Sequence, residues 1–380
     1  MPAAPRGGLR TGVLAVAVAM TMAMTGCATQ PSKPASPPSH APASEPAAPA
    51  AAPAPQPTHP GLTLAAVGDM MLGTDFPENI LPDDDGVSFL DAVTPILSAP
   101  DVAFGNLEGV LLDGGLPVKQ CKNPKICFLF RSPARYATYF KLAGFDALSL
   151  ANNHARDFGE EGRSSSMAAL DAAGIRHSGR EGTTASWIAN GRRIALAAFA
   201  PNVGANQLNE PELARALVAS LAASHDIVIV SFHGGAECNG AEVLPFARET
   251  FAGEDRGNVV EFAHAMVDAG ADIVLGHGPH VVRPLEIYRD RLVAYSLGNF
   301  ATYYGISVEG IRGMAPILLA TLDDEGKFVS GRIESTIQLR PAGPSLDPAA
   351  GALNLLRTLT NSAFPGGTLV IGEDGTLSRR

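Results

Sequence analysis

Ile273-Val274-Leu275-Gly276-His277-Gly278-Pro279-His280 is the stretch whose reading decides the fold: a short apolar run discharges at once into glycine, proline and two histidines. Short apolar runs bounded by turn formers read as strands buried on both faces, and such strands deliver polar side chains at their C-terminal ends. The pattern recurs upstream. Leu62–Val67 runs into Gly68-Asp69, Val102–Phe104 into Gly105-Asn106-Leu107-Glu108, Ala147–Leu150 into Asn152-Asn153-His154, and Ile227–Phe232 into His233-Gly234-Gly235. Between these runs, Glu160–Ala173 closed by Gly174, Pro211–Ala223, and Asn258–Ala269 closed by Gly270 read as helices. Hairpins are expected at Asn190-Gly191 and at Arg289-Asp290, with further antiparallel strands at Met314–Leu322 and Phe328–Leu339. Leu353–Thr360 reads as a last helix. The expected fold class is α/β, with a mixed sheet or pair of sheets flanked by helices.

The first sixty residues read differently. Arg6 and Arg10 precede an apolar stretch, Val13–Met24, with the length of a signal-peptide core. It ends at Met24-Thr25-Gly26-Cys27, which resembles a bacterial lipobox. Residues 1–27 are therefore read as a lipoprotein-type signal peptide, with Cys27 lipidated and the chain held at the membrane by a lipid anchor. Met24 stands where leucine is usual, which leaves cleavage by ordinary signal peptidase as the other reading. Residues 28–60 are an Ala/Pro-rich linker, expected to be an extended tether. Residues 61–340 are expected to form the globular domain and 341–380 a C-terminal extension packing on it. The implied location is the bacterial cell envelope, facing the periplasm or the cell surface.

Cysteine usage suits an oxidising compartment. Cys121 and Cys127 flank a proline-containing loop and are the favoured disulfide, with Cys238 left over; three pairings remain open. Hydrophobic residues make up 46% of the 380, enough for a sizeable core, and the formal net charge of −10 excludes nucleic acid as a main partner. An anionic substrate must be held locally.

Of nine histidines, four stand at strand ends: His154, His233, His277 and His280. They share that edge with Asp69, Glu108 and Asn153. Imidazoles, carboxylates and an amide oxygen converging on one edge suit Zn, Mn or Fe. His264 in mid-helix and His225 at a helix C-terminus have ordinary structural readings, and His177 is undecided.

Gly68-Asp69-Met70-Met71-Leu72-Gly73, Asn106-Leu107-Glu108, Ala151-Asn152-Asn153-His154 with Asp157 and Gly159, His233-Gly234-Gly235-Ala236-Glu237, Gly276-His277-Gly278-Pro279-His280-Val281 and Tyr295-Ser296-Leu297-Gly298-Asn299-Phe300 occur in this order. Together they resemble the CapA family of capsule and poly-γ-glutamate biosynthesis proteins, itself similar to the calcineurin-like metallophosphoesterases. The resemblance implies a metallophosphoesterase-like β-sandwich of mixed sheets. It implies one or two divalent transition metal ions on Asp69, Glu108, Asn153, His233, His277 and His280, and His154 as the catalytic acid or transition-state stabiliser of a hydrolase. Arg131 and Arg283 are candidate clamps for an anionic polymer or a phosphate-containing small substrate. Two departures bear on the metal count. Met71 occupies the place where the superfamily has a histidine, and two residues rather than one separate His277 from His280. A non-catalytic, metal-dependent polymer-binding or export role is the competing expectation.

Overall fold

The computed structural model of the chain describes residues 61–119, 128–237 and 240–380. The segments read as signal peptide and linker, with Cys27, the expected Cys121–Cys127 disulfide and Cys238, lie outside the described residues.

Two mixed sheets dominate. The larger centres on strand Leu62–Met71, which runs parallel to Val102–Leu107 on one side and antiparallel to Met314–Leu322 on the other. Ala147–Ser149 and Arg176–Ser178 extend the parallel half, while Phe328–Gln338, Thr376–Arg379 and Leu369–Ile371 extend the antiparallel half. The smaller sheet sets Arg192–Ala200, Ile227–His233, Ile273–His277 and Arg291–Ala294 side by side in parallel. Its edges are antiparallel hairpins. Asn190-Gly191 and Arg289-Asp290 form their turns, all four residues at positive φ, as a type I′ turn requires.

Strand periodicity explains how the layers stack. Leu64, Ala66, Ile227, Ile229, Ile273 and Leu275 point into one core shared by the two sheets. Their neighbours Ala65 and Val67 face a second core on the outside of the larger sheet, beneath helices Tyr136–Leu142 and Gly159–Ala173. Val228, Val230 and Val274 face a third, beneath helices Pro211–Ala222 and Val259–Asp268. Strands buried on both faces need continuous apolar runs, which is the pattern their sequences carry. The result is a four-layer α/β sandwich, with each fully buried Leu, Ile or Phe contributing about 1.5–3 kcal/mol.

Local signals set the helix ends. Gly174 closes its helix in the left-handed region at φ 72°, and the Asn258 side chain accepts a hydrogen bond from Glu261 N at the start of another. Residues 341–380 add strand Pro344–Leu346 to the larger sheet and a helix, Gly351–Ala363, whose Leu353 and Leu356 enter the core between the sheets. Among the described residues, no helix is long and apolar enough to cross a membrane.

Candidate metal centre

The strand-end residues meet where the two sheets face each other. Asp69 sits at a break in register near the end of its strand: the pairing with both parallel neighbours shifts next to it. Gly68 makes this possible. A Cβ there would lie 2.0 Å from Gly298 O, so only glycine lets the strand reach the 296–298 turn, where Asp69 N donates to Gly298 O at 2.8 Å.

Asp69 and Glu108 are both buried, and the amide of Asn106 lies between them. Asn106 Nδ2 donates to Asp69 Oδ1 at 2.8 Å and to Glu108 Oε2 at 2.7 Å. Asn152 in turn donates to Asn106 Oδ1 at 3.2 Å and to Leu107 O at 2.8 Å, while its own Oδ1 accepts from His154 N. A chain of amides thus fixes two carboxylates side by side.

The opposite sheet supplies the imidazoles. His233 and His277 end adjacent parallel strands as register partners, and both rings are fully buried. Glu108 Oε2 lies 3.4 Å from His233 Nε2, Asp69 Oδ1 3.4 Å from His277 Nδ1, and Asp69 Oδ2 3.1 Å from His280 Nδ1. His280, at φ 59°, bonds Asn299 Oδ1 through Nδ1 at 2.9 Å. Burial by itself would raise the Asp69 carboxyl, but His277 and His280 hold it well below the usual carboxylate range. Glu108 shows the same opposition, with His233 outweighing burial and keeping it low.

These donors can be tested for fit to a cation. Asp69 Oδ2, Glu108 Oε1, Asn153 Oδ1 and both ring nitrogens of His233 and His277 are buried with no hydrogen-bond partner. Unpaired buried polar atoms are costly and rare, and those of Asp69, Glu108, His233 and His277 lie together in one cluster. Two donors about 2.1 Å from a common ion stand about 3.0–3.4 Å apart, depending on the coordination angle; the His233–Glu108 and His277–Asp69 separations of 3.4 Å fall in that range. Among the described residues, no three His, Cys, Asp or Glu side chains yet surround a common point. The residues fit a divalent cation in chemistry and in edge length, with the carboxylate–imidazole pairs standing side by side.

His154 sits beside this group. Its Nδ1 lies 2.7 Å from Asp157 Oδ2, and Phe130 stacks against the ring at 4.2 Å between centroids. Asp157 also accepts from Phe130 N at 3.0 Å and pairs with Lys119 at 3.0 Å. Met71, at the place where the superfamily has a histidine, packs with Phe130 and Ile306 in a small apolar cluster.

Arg131 and Arg283, expected as anion clamps, are tied into the fold instead. Arg283 is fully buried and makes a bidentate pair with Glu249 at 2.7 and 2.9 Å, with Nε on Ala241 O. Arg131 bonds Asp75 at 2.6 Å and the carbonyls of Gly114 and Gly115, and lies over the rings of Phe76 and Phe158. Each is satisfied by acceptors distant in sequence. Sequence reasoning also missed Arg256, a fully buried guanidinium 3.0 Å from Glu237 Oε1, whose Nη2 has no partner. Glu237 Oε2 stands 3.9 Å from His280 Nε2, so this ion pair borders the cluster. His264, His225 and His177 lie elsewhere, bonded to Glu286, to Ser186 and Leu221 O, and to Asp171 respectively.

The family described as "Bacterial capsule synthesis protein PGA_cap" matches residues 63–304, more than half of the chain. The PGA biosynthesis protein CapA of Bacillus subtilis (strain 168) is 30% identical over 259 residues, covering 63% of each chain. The capsule biosynthesis protein CapA of Bacillus anthracis is 29% identical over 251 residues, covering 63% of this chain and 59% of its own. The chain thus spans less than two thirds of the length of these curated relatives. Among solved structures, a purple acid phosphatase from yellow lupin seeds aligns at 12% identity with a TM-score of 0.35, covering 78% of this chain and 56% of its own. With its match running from the first strand of the larger sheet past the last histidine of the cluster, the chain belongs to the bacterial capsule synthesis protein PGA_cap family.

Proposed function

We propose that this chain is an envelope-exposed, metal-dependent hydrolase of the phosphoesterase type, acting in capsule or poly-γ-glutamate biosynthesis. The observation that carries the reading is the set of orphaned buried donors on Asp69, Glu108, Asn153, His233 and His277, drawn from both sheets to one edge. The relatives are named for PGA and capsule biosynthesis, which supports the polymer context. The basic and apolar N-terminal sequence, Arg6 to Met24, and the lipobox-like Cys27 support export and a lipid anchor.

Asp69, His277 and His280 would hold one divalent ion, with Glu108, Asn153 and His233 completing that site or holding a second; Mn, Fe and Zn all suit the donors. Bound there, the metal supplies Lewis acidity and counter-charge for a phosphoryl oxygen. The chain's own residues do the rest. Asn106 keeps the two carboxylates in register. Asp157 engages His154 through Nδ1, which leaves Nε2 to give a proton to a leaving oxygen. Phe130 and Met71 close one wall against water.

The apolar packing of Met71 favours a second reading, a metal-dependent polymer-binding or export component without turnover. Cleavage at γ-glutamyl amides would use the same donors. Elemental analysis of the purified chain, with assays on phosphomonoesters, phosphodiesters and poly-γ-glutamate, separates these readings. Metal-dependent turnover of a phosphoester is expected. Polymer binding without turnover sinks the hydrolase, and unchanged metal content in His233→Ala sinks the centre itself.

A further inference from the structure

Arg156, Arg163 and Arg180 gather around a single carboxylate beside the candidate centre. Arg156 Nε lies 3.1 Å from Glu160 Oε1, Arg163 Nη1 3.7 Å from the same oxygen, and Arg180 Nη2 3.4 Å from Glu160 Oε2. Three guanidiniums against one glutamate leave two uncompensated positive charges, in a chain whose formal net charge is −10. The other contacts are backbone carbonyls: Arg163 Nη1 donates to Gly204 O at 2.6 Å and Arg156 Nη1 to Val203 O at 3.3 Å.

The three residues come from different parts of the fold. Arg156 follows His154 by two positions, Arg163 lies on helix Gly159–Ala173, and Arg180 follows strand Arg176–Ser178 and pairs with Ala205 across an isolated bridge. Arg156 and Arg163 reach Glu160 through spacings of four and three residues, and tertiary structure brings Arg180 to the same carboxylate. Arg163 is the fixed member, 3% exposed, with a buried Nε that has no hydrogen-bond partner. Arg156 and Arg180 are open to solvent, their side chains 40% and 44% exposed. Holding like charges this close without enough acceptors is unfavourable, and an arriving anion relieves it. Burial pushes the Arg163 guanidinium down from its ordinary value, and its two arginine neighbours push the same way.

We propose that this cluster binds consecutive anionic groups of a linear polymer, carboxylates or phosphates, and feeds the chain toward the strand-end site. Arginine suits the task because its planar fork grips two oxygens of either group. The inference rests on the reading that the protein handles an anionic polymer, but it does not need the metal.

The test titrates fluorescently labelled poly-γ-glutamate and, separately, inorganic polyphosphate into the full-length chain at low and moderate salt. The parent is compared with the pair Arg156→Gln/Arg180→Gln and the pair Arg156→Lys/Arg180→Lys. The Gln pair is expected to bind about tenfold more weakly and with a shallower salt dependence, while the Lys pair keeps most of the affinity. Loss confined to poly-γ-glutamate assigns the site to carboxylates, and loss confined to polyphosphate assigns it to phosphates. Unchanged affinity and salt dependence in the Gln pair overturns the proposal, as does failure of the parent to bind either polymer. An equal loss in both pairs with a lowered melting temperature also overturns it, assigning the arginines to holding the fold. Metal content in the same preparations reports on the centre independently: a chain that binds polymer through these arginines but retains no metal leaves this site standing and removes the hydrolase.

Discussion

Asn106→Ala removes the amide that stands between two buried carboxylates, and its cost can be worked from the structure. Two hydrogen bonds to Asp69 and Glu108, at 2.8 and 2.7 Å, disappear. A hydrogen bond to a charged acceptor contributes about 1.5–3 kcal/mol, so the loss is about 3–6 kcal/mol. Asn152 Nδ2 also loses Asn106 as an acceptor but keeps Leu107 O. For roughly 320 globular residues, an unfolding entropy of about 2.1 cal/mol/K per residue turns that loss into a melting temperature lower by about 5–9 °C in metal-free buffer. The centre makes a second demand. A divalent cation neutralises both carboxylates, so adding Mn²⁺ or Zn²⁺ should recover a large part of the deficit, more than it adds to the parent chain. Differential scanning calorimetry of parent and variant, each with chelator and with metal, measures both quantities. A variant that melts like the parent without metal refutes the hydrogen-bond reasoning, and a deficit untouched by metal refutes the placement of a cation between these residues.

Two further outcomes are expected. Asp157→Asn deprives His154 of its carboxylate partner; phosphoester turnover should fall about 10- to 100-fold while bound metal, read by elemental analysis, stays constant. Equal turnover would remove Asp157 from the mechanism. The Asp272 carboxyl is pushed by burial from 3.8 up to about 6, despite accepting from Val228 N and lying 3.2 Å from Arg291. Because the folded value is the higher one, the protonated form's contribution is complete below about pH 4 and lost as pH rises through about 6. A shift of roughly two units corresponds to about 3 kcal/mol. Thermal melts should show that decline across pH 4–6.5 in the parent and a flatter profile in Asp272→Asn; matching profiles would refute the assignment.

Much of this architecture could be read before any coordinates because buried strands and capped helices carry local signals. Ile227–His233 and Ile273–His277 announce themselves as apolar runs ending in histidine, Gly174 and Asn258 mark helix ends, and Asn190-Gly191 marks a hairpin. Strands Pro344–Leu346, Leu369–Ile371 and Thr376–Arg379 gave no such signal, since they are three or four residues long and partly exposed. The convergence of the strand-end residues was readable for the same reason the strands were. Long side chains were another matter. A guanidinium reaches several ångströms from its Cα, and whether Arg283 faces a substrate or Glu249 depends on a residue 34 positions away. The Arg256–Glu237 pair and the approach of Arg180 to Glu160 belong to the same class of contact, invisible to any local pattern.

The cluster takes its carboxylates from one sheet and its imidazoles from the other. A cation there would be chelated only by the assembled sandwich, so neither sheet alone could retain it and its binding energy would count directly toward folding. At a free concentration one hundred times Kd, that linkage adds about 2.7 kcal/mol to global stability. The ion would then act as a final fastener, and metal starvation would lower the amount of folded protein before it lowered any specific activity.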